Sequence, residues 1–272
     1  MRKSYLPGYT ALLLSSLLIS LTVSAKPSTY TYRVLETHPH NKSMFTQGLI
    51  AQEQWIYESG GGYGRSRLLR YDKRSGKLDT RFKFPRALFA EGLTYFNSQL
   101  FLLTWQAGEL FVYDPLDTEP QRRIRYKGEG WGLTHNDEML IMSNGSDQLY
   151  FRSADDFSIQ RTVSVHDDSK HWKNLNELEF ARNKIWANVW GDNRILAIDP
   201  NDGKVLGVID LTALREQTVK TNADNVLNGI AYDKQRNAFW VTGKFWPKRY
   251  LLDFVENKAS EPKVISKPVV KP

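Results

Sequence analysis

A single glutamate, Glu91, stands in the run Ala90-Glu-Gly-Leu93, and three tryptophans, Trp105, Trp131 and Trp190, occupy related places along the chain. A carboxyl among aromatic rings can pass a proton, and indole rings can wall the apolar part of a small ligand. Gln47 and Asn176 add amide donors and acceptors, and Lys244 adds one cation. Apolar walls with a few placed polar groups are how small-ligand pockets are built. Each residue also has a plainer reading. Any one tryptophan can be core, and an inner polar residue such as Asn228 can simply satisfy buried water. Their arrival at equivalent places favours a site.

Other chemistries are excluded or weak. The chain has no cysteine, which removes disulfides, thiolate metal ligands and thiol nucleophiles together. His38-Pro-His40 has metal-like spacing but no third ligand beside it, and His135, His166 and His171 are dispersed, so no metal or other cofactor is expected. Gly60-Gly-Gly-Tyr-Gly64 precedes a strand pattern and lacks GK[ST], so it reads as a loop skirting the pocket rather than a phosphate cradle. Asp155-Asp156 and Asp167-Asp168 read as exposed turns.

The elements that must position these residues come from an internal repeat. Related segments begin Phe45-Thr-Gln-Gly-Leu49, Phe89-Ala-Glu-Gly-Leu93, Glu129-Gly-Trp-Gly-Leu133, Asn174-Leu-Asn-Glu-Leu178 and Val226-Leu-Asn-Gly-Ile230. Each anchor (Gly48, Gly92, Gly132, Glu177, Gly229) opens a short strand, followed by a turn, an apolar second strand and a small polar residue. Those small residues are Ser59, Thr104, Ser143, Asn188 and Thr242. Third and fourth strands follow, except that the fifth copy lacks a fourth, while Thr29–Glu36 alternates without a partner. Four antiparallel strands repeated about every 40–52 residues predict an all-β, five-bladed β-propeller, with the N-terminal strand closing the last blade. A β-sandwich would not explain five in-phase copies. Leu211–Lys220 reads as a helical turn inside a longer fourth interval, with Thr221–Val226 as a loop.

First strands line the channel of a propeller, which places Gln47, Glu91, Trp131, Asn176 and Asn228 at the axis. Glu91 is the one carboxylate among them.

Composition sets the outer bounds. At 272 residues, 41% apolar and 25% charged, the chain suits one large domain. Residues 1–25 read as a signal peptide: Arg2 and Lys3 lead an apolar run ending at Val23-Ser-Ala25. The mature protein is then exported, periplasmic or secreted. Residues 26–256 form the propeller, and 257–272 a disordered Lys/Pro tail. The net charge of +7 is spread among acids, so no nucleic-acid partner and no stable membrane association are expected. A monomer is expected.

Taken together, Phe45-Thr-Gln-Gly-Leu49, Phe89-Ala-Glu-Gly-Leu-Thr94, Leu103-Thr-Trp105, Glu129-Gly-Trp-Gly-Leu133, Leu175-Asn-Glu-Leu-Glu179, Trp186-Ala-Asn-Val-Trp190 and Val241-Thr-Gly-Lys-Phe-Trp-Pro247 resemble the plant- and bacterial-type glutaminyl-peptide cyclotransferases (glutamine cyclotransferases). The resemblance covers about residues 30–255. It implies a five-bladed propeller that converts N-terminal glutamine of peptides and proteins to pyroglutamate, releasing ammonia without zinc. It implies Glu91 as the catalytic residue, and Phe45, Gln47, Trp105, Trp131, Asn176, Trp190 and Lys244 as substrate-binding residues.

That reaction is an attack by the substrate's own α-amine on its γ-carboxamide, so the enzyme needs no nucleophile. It needs the glutamine folded into an attack conformer and a proton shuttle, for which Glu91 is the candidate. Lys244 could pair with Glu91 or face the developing oxyanion. A pocket closed on one side predicts low selectivity at the second substrate residue. Two rivals stand beside this reading. A non-catalytic periplasmic propeller could serve as a binding scaffold, and a lactonase-like hydrolase would need a calcium-binding cluster of axial carboxylates.

Overall fold

Turn chemistry sets the strand lengths. Asp72 Oδ1 accepts the backbone N–H groups of Arg74 and Ser75 at 3.1 and 2.7 Å, and Gly76 follows at φ 67°. Asp199 accepts the N–H of Asn201 at 2.8 Å, ahead of Gly203 at φ 84°. An aspartate that bonds its own backbone ends the strand, and a left-handed glycine completes the reversal. The turns after Asp72 and Asp199 form in this way.

The computed structural model describes residues 27–220 and 224–257. The expected signal peptide, nearly all of the expected tail and part of the Thr221–Val226 loop lie outside them.

Strand β1 (Ser28–Pro39) comes first. Three four-stranded antiparallel sheets follow. The first holds β2 (Thr46–Gln52), β3 (Trp55–Gly60), β4 (Arg67–Asp72) and β5 (Leu78–Phe82). The second holds β6 (Ala90–Phe96), β7 (Gln99–Thr104), β8 (Glu109–Tyr113) and β9 (Pro120–Arg125). The third holds β10 (Leu133–His135), β11 (Leu140–Met142), β12 (Gln148–Arg152) and β13 (Ile159–Ser164).

The rest forms one eight-stranded sheet with two antiparallel halves. One half is β14 (Leu175–Ala181), β15 (Lys184–Val189), β16 (Arg194–Ile198) and β17 (Val205–Asp210). After the short helix α1 (Thr212–Thr218), which matches the expected helical turn, come β18 (Leu227–Asp233), β19 (Ala238–Gly243) and β20 (Lys248–Asn257). Strand β1 pairs antiparallel with β20 from Thr29↔Asn257 to Pro39↔Lys248, and so completes the second half. It also pairs in parallel with β17 at Ser28–Tyr30, which joins the halves and was not foreseen. Strand β20 runs to Asn257, the first residue of the expected tail.

The first strands adjoin one another in a closed cycle, β2 to β6 to β10 to β14 to β18 and back to β2. The fold is all-β and propeller-like. Its core lies in layers between successive sheets. Leu93 and Leu102 of the second sheet pack against Tyr57 and Leu68 of the first. A middle strand is therefore covered on both faces and reads as a continuous apolar run, Leu100-Phe-Leu-Leu103, without alternation. Each such leucine is worth about 1.5–3 kcal/mol when buried. Outer strands such as β5 and β9 are largely exposed and polar.

At the centre the strands approach too closely for side chains at most anchors. A Cβ on Gly92 would lie 2.5 Å from the Leu133 backbone nitrogen, and one on Gly132 would lie 1.9 Å from the Asn176 carbonyl oxygen. Both obstacles are backbone and cannot rotate away. A Gly132→Ala variant is expected to lose about 3 kcal/mol of stability, the upper end for overpacking, measured by urea unfolding.

Candidate functional site

The innermost strands lose regular pairing where they carry candidate residues. The β2–β3 register slips between Thr46 and Gly48, bracketing Gln47. The β6–β7 register slips between Ala90 and Leu93, around Glu91. Those of β14 and β18 slip around Asn176 and Asn228. A bulge frees a residue from the ladder and re-aims its side chain. Trp131 precedes β10 and needs no release. Trp105, Trp190 and Lys244 follow the ends of β7, β15 and β19.

These strand ends meet. All eight expected site residues, from Phe45 to Lys244, line one cavity of about 470 Å³. Phe45 packs edge-on to Phe89 and Phe245 at 6.0 and 5.3 Å. Phe89 continues the wall to Trp105 at 5.5 Å, and Trp131 meets Trp190 at 6.4 Å. Trp190, 48% exposed, is the most solvent-exposed residue of the wall.

The small polar residues after the second strands tie neighbouring repeats together. Ser59 Oγ donates to the Glu91 carbonyl at 2.5 Å, and Ser143 Oγ donates to the Asn176 carbonyl at 2.6 Å. The backbones that carry the carboxyl and the amide are thereby fixed from the preceding repeat.

A chain of amides orients the carboxyl. Asn228 Nδ2 donates to the backbone carbonyl of Thr46 at 2.8 Å and to Gln47 Oε1 at 3.2 Å. A backbone carbonyl only accepts, so Asn228 must present its nitrogen, and Gln47 must turn its oxygen to Asn228. Gln47 Nε2 then points at Glu91 Oε1 and donates at 2.7 Å.

Glu91 is 4% exposed. Burial holds its pKa well above the usual carboxylate range, against the opposing pull of Lys244 and of the Gln47 bond. Burial thus favours its neutral, acid form. With Oε1 receiving Gln47, Oε2 is the oxygen left to carry a proton. Burial also lowers Lys244, to about 8, with Glu91 drawing it back upward. Of the two arrangements open to Lys244, a direct ion pair with Glu91 is not formed among the described residues. Its Nζ stands 4.2 Å from the Phe45 ring centroid.

Several functional positions escaped the sequence reading. Phe89 lines the cavity and holds the same repeat position as Phe45, so the register of the copies could have found it. Glu129 holds that position in the third copy. Its Oε2 accepts both indole N–H groups, from Trp105 at 2.9 Å and Trp131 at 3.1 Å. Nothing in the spacing signalled that.

Glu177 corrects the view of Glu91 as the single axial carboxylate. It is buried, and its two oxygens accept the backbone N–H groups of Leu49 and Ile230 at 3.3 and 2.7 Å. Both oxygens are thus committed to the scaffold, unlike those of a calcium-binding cluster.

The histidines take separate partners. His38 meets Glu36 and His40 meets Glu58, each at 2.9 Å. Among the described residues, no group of three or more His, Cys, Asp or Glu is placed to hold a metal ion. The Gly60–Gly64 loop does border the site, through Tyr63 edge-on to Phe89 at 5.5 Å.

Comparison with known proteins follows this geometry. The chain is 34% identical to a glutaminyl-peptide cyclotransferase of Arabidopsis thaliana over 230 residues, covering 83% of this chain and 72% of that protein. The crystal structure of Myxococcus xanthus glutaminyl cyclase superposes with a TM-score of 0.79 at 33% identity, covering 85% of this chain and all of the other. The family model for glutamine cyclotransferase matches residues 9–254, and the chain belongs to that family.

Proposed function

We propose that this protein cyclises N-terminal glutamine of peptides and proteins to pyroglutamate, releasing ammonia, in the pocket around Glu91. The observation that carries the reading is a buried carboxyl of raised pKa, oriented by Gln47 and set among aromatic walls in a member of this family. The four sheets are read as five blades, the eight-stranded sheet counting as two joined through β1.

The substrate's neutral α-amine attacks the γ-carboxamide carbon, forming the lactam C–N bond. The carboxamide C–N bond then breaks. The leaving NH₂ must gain one proton and the amine must lose one. Glu91 donates from Oε2 to the departing nitrogen and takes up the amine's proton, so it ends as it began. Such acid–base help is typically worth about 10²–10⁴-fold. Folding the glutamine side chain against Phe45, Trp105 and Trp131 supplies the attack geometry.

Lys244, still cationic below about pH 8, disfavours a second cation in the pocket and so selects the uncharged amine. It also faces negative charge developing on the γ-oxygen. Asn176 Oδ1, buried without a partner, accepts a substrate N–H. Glu129 acts one step away, holding Trp105 and Trp131 by their ring nitrogens.

No step calls for a metal, and the donors around the pocket are one carboxyl, two amides, an amine and indoles. A metal-independent reaction is accordingly part of the proposal. Export rests on the sequence of residues 1–25. Among the described residues, no helix is long and apolar enough to cross a membrane.

The test is ammonia release from a Gln-initiated peptide in chelator, with an N-acetylated peptide as control. Turnover of the free peptide alone is expected, and no turnover above the spontaneous rate removes the enzyme reading. Glu91→Gln should lower kcat by about 10²–10⁴-fold with little change in KM.

The pH profile of kcat/KM should rise as the substrate amine loses its proton, near pH 7.7. It should fall near pH 8 as Lys244 loses its charge. In Lys244→Arg the falling limb should move to higher pH, since guanidinium keeps its proton. Glu129→Ala should raise KM several-fold by freeing both indoles, whereas Glu129→Gln, which keeps one oxygen to receive them, should be milder. Steady-state kinetics distinguish the two.

A further inference from the structure

Beside the catalytic pocket lies a second cavity, of about 540 Å³, lined by Arg65, Arg67, Arg81, Lys83 and Arg86 with no carboxylate among its walls. Its walls come from the β3–β4 connection and from the end of β5 with the segment leading into β6. Those connections also carry Tyr63 and Phe89. Because β3 ends, and β6 of the next sheet begins, at the end that carries the pocket, the basic cavity opens on the same rim as the pocket.

Physical contacts link the two. Tyr63, 58% exposed, stands against Phe89 of the pocket wall. Arg65 lies 5.9 Å from the centroid of Phe245, which packs on Phe45. The Gly64 N–H donates to the Arg86 carbonyl at 2.8 Å, closing the loop onto the opposite wall.

Charge on this wall is poorly compensated. Lys83 pairs with Glu119. Among the described residues, no ion pair joins Arg65, Arg67, Arg81 or Arg86 to a carboxylate. Arg67 bonds only backbone carbonyls, those of Arg65 and Ser43. The part of the rim beside Trp105 and Trp131 carries Glu129, whose pKa burial raises but the indole and amide bonds it accepts lower further, so that it stays anionic. The mouth is thus polarised, negative beside Trp105 and Trp131 and positive beside Phe89 and Phe245.

We propose that this basic cavity is a substrate subsite that takes acidic side chains downstream of the N-terminal glutamine. The proposal rests on the cyclotransferase reading. It adds selectivity for the body of the peptide to chemistry confined to its first residue. A peptide leaving the pocket passes Phe45 and Phe245 to reach Arg65. That path is roughly three to four residues of extended chain at about 3.3 Å each, so positions about three to six of the substrate meet the arginines. A glutamate or aspartate there gains from several cations at once and is repelled from the Glu129 side. Position two still lies in the mouth and remains unselective.

The test compares three substrates: a short uncharged Gln-dipeptide amide, a Gln-Ala-Ala-Glu-Glu-Glu peptide and a Gln-Ala-Ala-Lys-Lys-Lys peptide. Clusters of one sign raise local substrate concentration and on-rates by about 10–10³-fold. At about 20 mM salt, where screening is weak, kcat/KM should favour the acidic peptide over the basic one by at least tenfold. The preference should collapse at about 0.5 M salt. In the Arg81→Glu/Arg86→Glu double variant it should vanish or invert, while the dipeptide, too short to reach, is turned over as before. Equal turnover of both long peptides, or a preference that survives salt and the double variant, overturns the subsite. Failure of all three substrates, dipeptide included, would instead overturn the cyclotransferase reading.

Discussion

The close approach of the five first strands around one axis is the constraint on which the rest depends. Anchors Gly48, Gly92 and Gly132 each leave less than 3 Å to the nearest backbone for an added Cβ. Strands this close cannot be separated by ordinary side chains. Their backbone groups are satisfied across repeats by short polar side chains: Ser59, Ser143 and Asn188 each bond the backbone of the next repeat's first strand. Where the fourth repeat has Glu177 in place of glycine, its carboxyl spans the axis to Leu49 and Ile230. A buried carboxyl is costly unless every oxygen is used, and here both are.

That packing also creates the site. At the crowded point β2, β6, β14 and β18 slip out of register, and the residue before the anchor leaves the ladder. Gln47, Glu91 and Asn176 project as a consequence of the strand geometry that closes the ring. Binding polarity therefore comes from the same positions as structural tightness. These amides act as one chain: a displaced Asn228 would turn Gln47, and a turned Gln47 would no longer donate to Glu91.

Burial governs the electrostatics. It raises Glu91 and lowers Lys244, so both drift toward neutrality, while the aromatic wall keeps bulk water from restoring them. Glu129, closer to solvent and fed by three donors, moves the other way and stays charged. Carboxyls of one type thus divide between an acid and an anchor by environment alone. The outer rim, where arginines gather unopposed, belongs to a different regime of screened, additive charge.

Much of this was legible in the sequence. The repeat revealed the strand order, because a four-strand unit leaves a periodic trace of apolar runs and turns, and even the orphaned strand near the start found its partner in β20. Seven of the eight pocket residues could be read from equivalent positions in successive copies, Phe45 came from the family resemblance, and Phe89 was within reach by the register it shares with Phe45. What the chain could not disclose are relations between copies. Asn228 serves Gln47 across 181 positions, and Glu129 links Trp105 to Trp131 over 24 and 2. The parallel graft of β1 onto β17, the role of Glu177 as a brace, and the raised pKa of Glu91 are of the same kind. Residue types and spacing determine local strands and turns, because those depend on near neighbours. Proton affinities, amide orientations and the polarity of the rim depend on which groups exclude water from which others, and that exists only once the ring has closed.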